Sequence, residues 1–345
     1  MTFPSSGPTR PGVLPLGVLL SLAGCSLLPR PAEDVQPIVR GPLPSRTQHP
    51  LALTYLALRP RRAETQPVDW LGVAFQSVYT SIFERSSKAG EQIRFDGELW
   101  RNTLRVRKGI TSEMDIEVEL AALYTTSGFL DDFIEGYHDL FFLPQGGRDK
   151  VQDDQFTMRL RKDGETIYDL DEDRVGFGDI PIVVTRRLRA EDEDGPAVAV
   201  RLGVELPTGS ADRGFGNGKL DWGGGFLTER SFGRWTLTGA LDYVVTGQPD
   251  DFDDAGVDAE NILQVQSGLE YRWSNVTSCL LQLFWTTPMI DDFDDEEITS
   301  DIVDVGLGVV RDLAGGGRFT FSFHEDLVAA TGPDFSVLVG IAWGF

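Results

Sequence analysis

The best polar cluster on a candidate helix in this sequence is Asp131, Glu135, His138 and Asp139. On a helix Asp131, Glu135 and Asp139 recur at i, i+4 and share one stripe, with His138 one turn from Glu135. Carboxylates with an imidazole in that arrangement could serve a metal site or an acid–base pair. The plainer expectation is a solvated helix face with one packed histidine. A second pair, Ser322 and His324, shares one strand parity and could begin a hydrolase site. Nothing in the sequence sets an acid beside it, as acyl transfer would need. Gly-rich phosphate loops, Cys-x-x-Cys and His-Glu-x-x-His are all missing from the chain. No catalytic residue, resident metal or cofactor is therefore expected, and an enzyme is the weaker reading.

Three other features carry physical chemistry without catalysis. Asp-Asp-Phe-Asp-Asp occurs twice, at 250–254 and 291–295. Carboxylates at that density could hold divalent cations such as Ca²⁺ or Mg²⁺. Because no Asp-x-Asp-x-Asp-Gly loop is present, solvated loop acid is the simpler expectation. A turn centred on Gly109 would set Arg105 opposite Glu113 and Arg101 opposite Glu117, a charge ladder between neighbouring strands. The two cysteines are Cys25 and Cys279. Leu22-Ala23-Gly24-Cys25 resembles the bacterial lipoprotein box, so Cys25 is the expected lipidation site.

These residues need elements to hold them. The chain carries a formal net charge of −23, which argues against a nucleic-acid partner. Its one long apolar segment, 11–28, is short, N-terminal and interrupted by Pro and Gly, as in an export signal. Residues 1–24 read as a signal peptide. Residues 25–66 read as a Pro-rich tether and N-terminal segment.

From residue 67 to 345, alternation at period two dominates. Leu263, Val265, Leu269, Tyr271 and Trp273 alternate with Gln264, Gln266, Glu270 and Arg272. Segments near 68–80, 92–107, 111–122, 175–189, 197–206, 220–230, 234–246, 261–273, 277–287, 302–312, 317–325 and 335–345 give about twelve strands. They are longer than soluble strands usually are, carry aromatics near their ends, and alternate short with long connections in the C-terminal half. The expected fold is an all-β, antiparallel transmembrane barrel. A phase change in the second strand predicts a bulge near Trp100–Asn102. The remaining stretch, 123–174, predicts a short helical insertion starting at Ser127 and a hairpin turning at Lys162-Asp-Gly164. It emerges on the outer side, where it could cap the mouth or enter the lumen.

The terminal run Phe335 to Phe345 resembles the closing strand of bacterial outer-membrane barrels, which the barrel assembly machinery reads at its final aromatic, here Phe345. The region from Arg94 to Asp179 resembles an uncharacterised family of proteobacterial outer-membrane proteins known only as a domain of unknown function. The shared elements are Phe95-Asp-Gly-Glu98, Gly128-Phe129 with Ile134 and His138, Leu143-Pro144 to Arg148, and Gly176-Phe-Gly-Asp179. The resemblance implies the bacterial outer membrane, with its lipids as surroundings, and brings no activity. The expected function is a non-enzymatic barrel, either a narrow or plugged channel or an envelope structural protein. The alternatives are a barrel enzyme acting on lipid or lipopolysaccharide, and a soluble periplasmic β-protein.

Overall fold

The computed structural model describes residues 38–88, 90–130, 136, 155–327 and 332–344. They form β1 (Leu71–Lys88), β2 (Glu91–Thr111) and β3 (Met114–Thr126), the short β4 (Thr157–Lys162), β5 (Glu165–Leu170) and β6 (Val175–Phe177), and then nine further strands. Those are β7 (Ile180–Arg189), β8 (Ala197–Leu206), β9 (Asp221–Phe232), β10 (Trp235–Val245), β11 (Ile262–Arg272), β12 (Thr277–Thr286), β13 (Ile302–Asp312), β14 (Gly317–Asp326) and β15 (Phe335–Gly344). Two short helices, α1 (Asp250–Ala255) and α2 (Glu296–Thr299), sit in long loops. All strands except β4, β5 and β6 make up a twelve-stranded antiparallel barrel, closed where Gly72 to Ser81 of β1 pair with Gly344 to Phe335 of β15.

Which side chains face outward separates this barrel from a soluble one. Phe75, Leu104, Leu202, Phe226, Leu241, Leu281, Leu307 and Phe321 are exposed, whereas Gln76, Arg101, Arg201, Asp242, Gln264, Gln266, Gln282 and Ser322 are buried. Apolar outside and polar inside is the arrangement that hydrocarbon demands. Exposed aromatics mark both rims of the band, Trp222 and Tyr243 at one end, Trp235, Trp273 and Trp343 at the other. At the second rim Trp235 packs on Tyr271 with ring centroids 4.6 Å apart. Turns at that rim are tight, at 112–113, 233–234, 273–276 and 313–316, which marks the periplasmic end.

From β8 onward the strand boundaries follow the sequence pattern closely, whereas β1 runs on to Lys88 and β2 to Thr111, past the expected ends at 80 and 107, and the expected strand 175–189 is divided into β6 and β7. The hairpin turn falls at Asp163-Gly164 as expected. The expected bulge does not occur. Pairing of β2 with both neighbours is unbroken through Trp100–Asn102, and its irregularity lies at Gly109–Thr111. The phase change has another cause. Ile93, Phe95 and Leu99 face inward because the outer part of the lumen is filled by an apolar core, while Leu104 and Val106 lower on the strand face lipid. The helix expected over 127–142 falls for the most part on residues outside those described, as do Cys25 and Phe345.

β1 and β2 run past the barrel on the outer side, where β4 pairs with Glu91–Asp96. The hairpin β4–β5 and the loops after β8, β10 and β12 close over the mouth on one core that includes Met158, Ile167, Phe215, Phe252, Met289 and Phe293. Thus each Asp-Asp-Phe-Asp-Asp run acts chiefly through its central Phe252 or Phe293, buried beneath the mouth, while Asp251 and Asp292 remain exposed.

Candidate functional site

Residues 38–66, expected to belong to a tether, lie inside the barrel. The chain enters at the periplasmic end beside Asn275 and Asp312, rises through the lumen, turns through a 3-10 turn at Ala52–Thr54, and descends to β1. At the tip Leu51, Leu56 and Leu58 are buried in the outer apolar core. His49 is fully buried there. Its Nδ1 accepts from the Leu51 amide at 3.2 Å, so Nε2 carries the proton that faces Glu84 at 3.3 Å.

The limbs lack regular structure, so their backbone groups must be satisfied by the wall. Ascending, the amides of Arg40 and Gly41 donate to Glu270 at 3.0 and 2.7 Å, and the Leu43 amide donates to Gln282 at 2.9 Å. Descending, the Leu56 amide donates to Asp221 at 2.9 Å and the Leu58 amide to Gln264 at 3.3 Å. The Leu58 carbonyl accepts from Gln266 at 2.6 Å and from Arg201 at 3.2 Å. Arg201 also donates to the Arg59 carbonyl and holds Asp242 through two bonds of 2.7 and 2.5 Å. Glycines in the wall make room for this segment. A Cβ on Gly203 would stand 2.7 Å from Leu58 Cδ2, and one on Gly308 2.7 Å from Leu43 Cδ2.

Arginines clamp the limbs to wall carboxylates. Arg59 bonds Glu119 at 2.7 Å, Arg61 bonds Asp115 at 2.7 Å, and Arg62 holds Glu229 with its closest contact at 2.7 Å. The expected wall ladder is present but shifted. Arg101 pairs with Glu119 at 2.5 Å rather than with Glu117, and Arg105 faces Glu117 at 3.9 Å rather than Glu113. The hairpin turns at Ser112-Glu113 instead of at Gly109, which leaves Glu113 exposed in the turn. Arg107 takes the last rung, to Asp115 at 2.5 Å.

Glu119 is thus the only carboxylate bonded to both Arg59 and Arg101 among the described residues. Its loss leaves two guanidiniums around a neutral group in a water-poor site. Glu119→Gln is expected to destabilise the barrel by about 3–5 kcal/mol. Glu117→Gln, whose partner is 3.9 Å away, is expected to cost less than ~1 kcal/mol. The temperature at which each protein loses its compact band on unboiled gels would rank them.

The other candidates fare differently. Asp131, Glu135, His138 and Asp139 lie outside the described residues. Ser322 and His324 are hydrogen-bonded at 2.9 Å, yet among the described residues no carboxylate bonds that ring. Nor do the described residues gather three His, Cys, Asp or Glu side chains in a metal-holding group. The motifs near Phe95, Gly128 and Asp179 build the outer cap. Glu98 accepts from the amides of Phe129 and Leu130 at 3.0 and 2.7 Å. Gly128 has φ +85° and passes so close that a Cβ would stand 1.9 Å from Glu98 Cδ. Asp179 accepts from the amides of Gly209 at 2.6 Å and Asn217 at 3.3 Å. Burial holds its carboxyl above the ordinary aspartate range despite these bonds.

A family described as "Protein of unknown function (DUF3187)" matches residues 17–345. The chain belongs to this family. The DUF3187 chain is similar in structure to the COG4313 outer membrane channel from Pseudomonas putida F1, with a TM-score of 0.54 at 15% identity, over 84% of this chain and 100% of that one. Looser likenesses are to the NanC porin (TM-score 0.44, 7% identity, 79% of this chain and 98% of that one) and the KdgM porin (0.41, 8%, 79% and 99%). No curated protein matches the chain. The likeness to the COG4313 channel shows the same fold, a closed antiparallel β-barrel.

The sequence contained a sign of the inserted segment. Residues 38–66 hold five arginines against one glutamate in a chain that is otherwise strongly acidic. A basic stretch beside strands carrying inward acids calls for pairing rather than for a free tether.

Proposed function

We propose that this protein is a non-enzymatic channel barrel kept closed by its own N-terminal segment. The observation that carries this reading is the filling of the lumen by residues 38–66. Twelve strands enclose more space than the side chains of a small barrel can fill. Here the space is taken by a looped segment whose limbs are held by exchangeable polar bonds to the wall. Water can replace such bonds one by one, as it cannot in a sealed apolar core. An envelope barrel with a purely structural role has no need of a charge-lined interior built around a separate insert. On this reading an acylated Cys25 tethers the segment on the periplasmic side, from which the limbs enter.

The test is planar-bilayer recording of the intact protein. Conductance near baseline, with rare brief openings, is expected. Large, steady steps from the intact chain would overturn the plugged reading.

A further inference from the structure

We propose that the periplasmic vestibule of the lumen is a binding site for a small oxyanion, a phosphate- or carboxylate-bearing solute. A cavity of about 620 Å³ lies between the inserted segment and the wall formed by β14, β15, β1 and β2. Six arginines line it: Arg40, Arg61 and Arg62 from the segment, Arg105 and Arg107 from β2, and Arg318 from β14. Only two carboxylates line it with them, Glu117 and Asp312.

The pairing around this cavity is short of negative charge. Asp312 is shared by Arg40 and Arg318, each at 2.8 Å. Asp115, on the luminal side of β3, is shared by Arg61 and Arg107. Four guanidiniums therefore draw on two carboxylates. Glu270 spends its oxygens on the amides of Arg40 and Gly41. Among the described residues, Arg62 alone is ion-paired with Glu229, and Arg105 is paired with Glu117 at 3.9 Å. The shortage shows in unmet donors. Nε and Nη1 of Arg61, Nε of Arg105 and Nε of Arg107 are buried with no hydrogen-bond partner among the described residues. The Arg61 side chain is 9% exposed, and those of Arg105 and Arg107 are 13% and 16% exposed. Guanidiniums this short of carboxylates are costly, and a planar or tetrahedral oxyanion in the cavity is the group whose charge and geometry answer several of the lining arginines at once. Overall charge gives no such pull, because the chain as a whole is acidic. The attraction is local to this end of the lumen.

The site does not depend on conduction, so it can be tested apart from the channel. Inorganic phosphate is titrated calorimetrically into the full protein in detergent, against chloride at matched ionic strength. One saturable phosphate site is expected, weakened about tenfold in Arg105→Gln by loss of a charge-assisted bond. Arg159→Gln, on the outer hairpin and paired with Asp169, should bind as the parent does. No phosphate-specific binding, or an equal loss in Arg159→Gln, overturns the proposal. If Arg105→Gln does not fold, arginine modification by phenylglyoxal is followed on the unaltered protein by mass spectrometry. Protection of Arg61 and Arg105 by phosphate supports the site, and modification rates that phosphate leaves unchanged overturn it. Phosphate binding by a protein that never conducts, even without its inserted segment, would leave this site standing and remove the channel reading.

Discussion

Arg201→Ala should lower the stability of the barrel by about 3–5 kcal/mol, the cost of leaving a buried charge without its partner. Arg201 is among the largest fully buried side chains, and its carboxylate partner Asp242 is 0% exposed at the side chain. The guanidinium does two things at once. Its Nε and Nη2 hold Asp242 in a fork, and its remaining donors reach the carbonyls of Leu58 and Arg59 on the descending limb. Alanine leaves the aspartate uncompensated and takes donors from two carbonyls of the inserted segment. Adding Asp242→Ala should recover part of the loss, because the orphan charge is then gone, so the two effects will not add. Arg201→Lys should not restore the parent, since a single ammonium cannot reproduce the fork and also reach both carbonyls. Heat-modifiability of the folded band measures all three. A parent-like melting temperature for Arg201→Ala would mean that the descending limb does not lie against β8.

Strand positions were legible because a barrel wall obeys one rule along its whole length: apolar to lipid, polar to lumen. Segments such as 263–273 carry that rule in their alternation, and β8 to β15 lie within two residues of where alternation starts and stops, whereas β1 runs on to Lys88, well past 80. The rule fails where the lumen is not polar. Ile93, Phe95 and Leu99 suggested a bulge because an inward apolar residue makes sense only once the outer core is known. The ladder was legible in its residues but not in its register. Arg101, Arg105 and Glu117 do face inward, yet the turn at Ser112-Glu113 moves the partner of Arg101 from Glu117 to Glu119 and that of Arg105 from Glu113 to Glu117.

The inserted segment was hidden for a different reason. Irregular backbone leaves no periodic signature, and a Pro-rich stretch reads the same whether it floats in the periplasm or threads a lumen. What distinguishes the two is complementarity at long range. Arg59 finds Glu119 sixty residues away, and Arg62 finds Glu229 much farther along the chain. Local pattern carries none of that information. The arginine-rich composition of 38–66 was the available sign, meaningful only when set against the inward acids of β3, β9 and β11.

Removing residues 38–66, with 1–37 left in place, has the largest expected effect on function. The wall that remains is polar and charged, and without the insert it encloses water in place of protein. Strand pairing is untouched, because the barrel closes through β1 and β15 from Gly72 onward. The wall acids Asp115, Glu119 and Glu229 lose their partners from the segment, but they would then face water, where an unpaired carboxylate costs little. The outer core loses Leu51, Leu56 and Leu58, which loosens the loops over the mouth. Both changes favour an open pore. Single-channel recording of the shortened protein beside the intact one, each first confirmed as heat-modifiable, is the most direct measurement of whether this segment closes the lumen. Near-baseline current from the intact chain and large, stable steps from the shortened one are the predicted result. Equal conductance from the two proteins would contradict it.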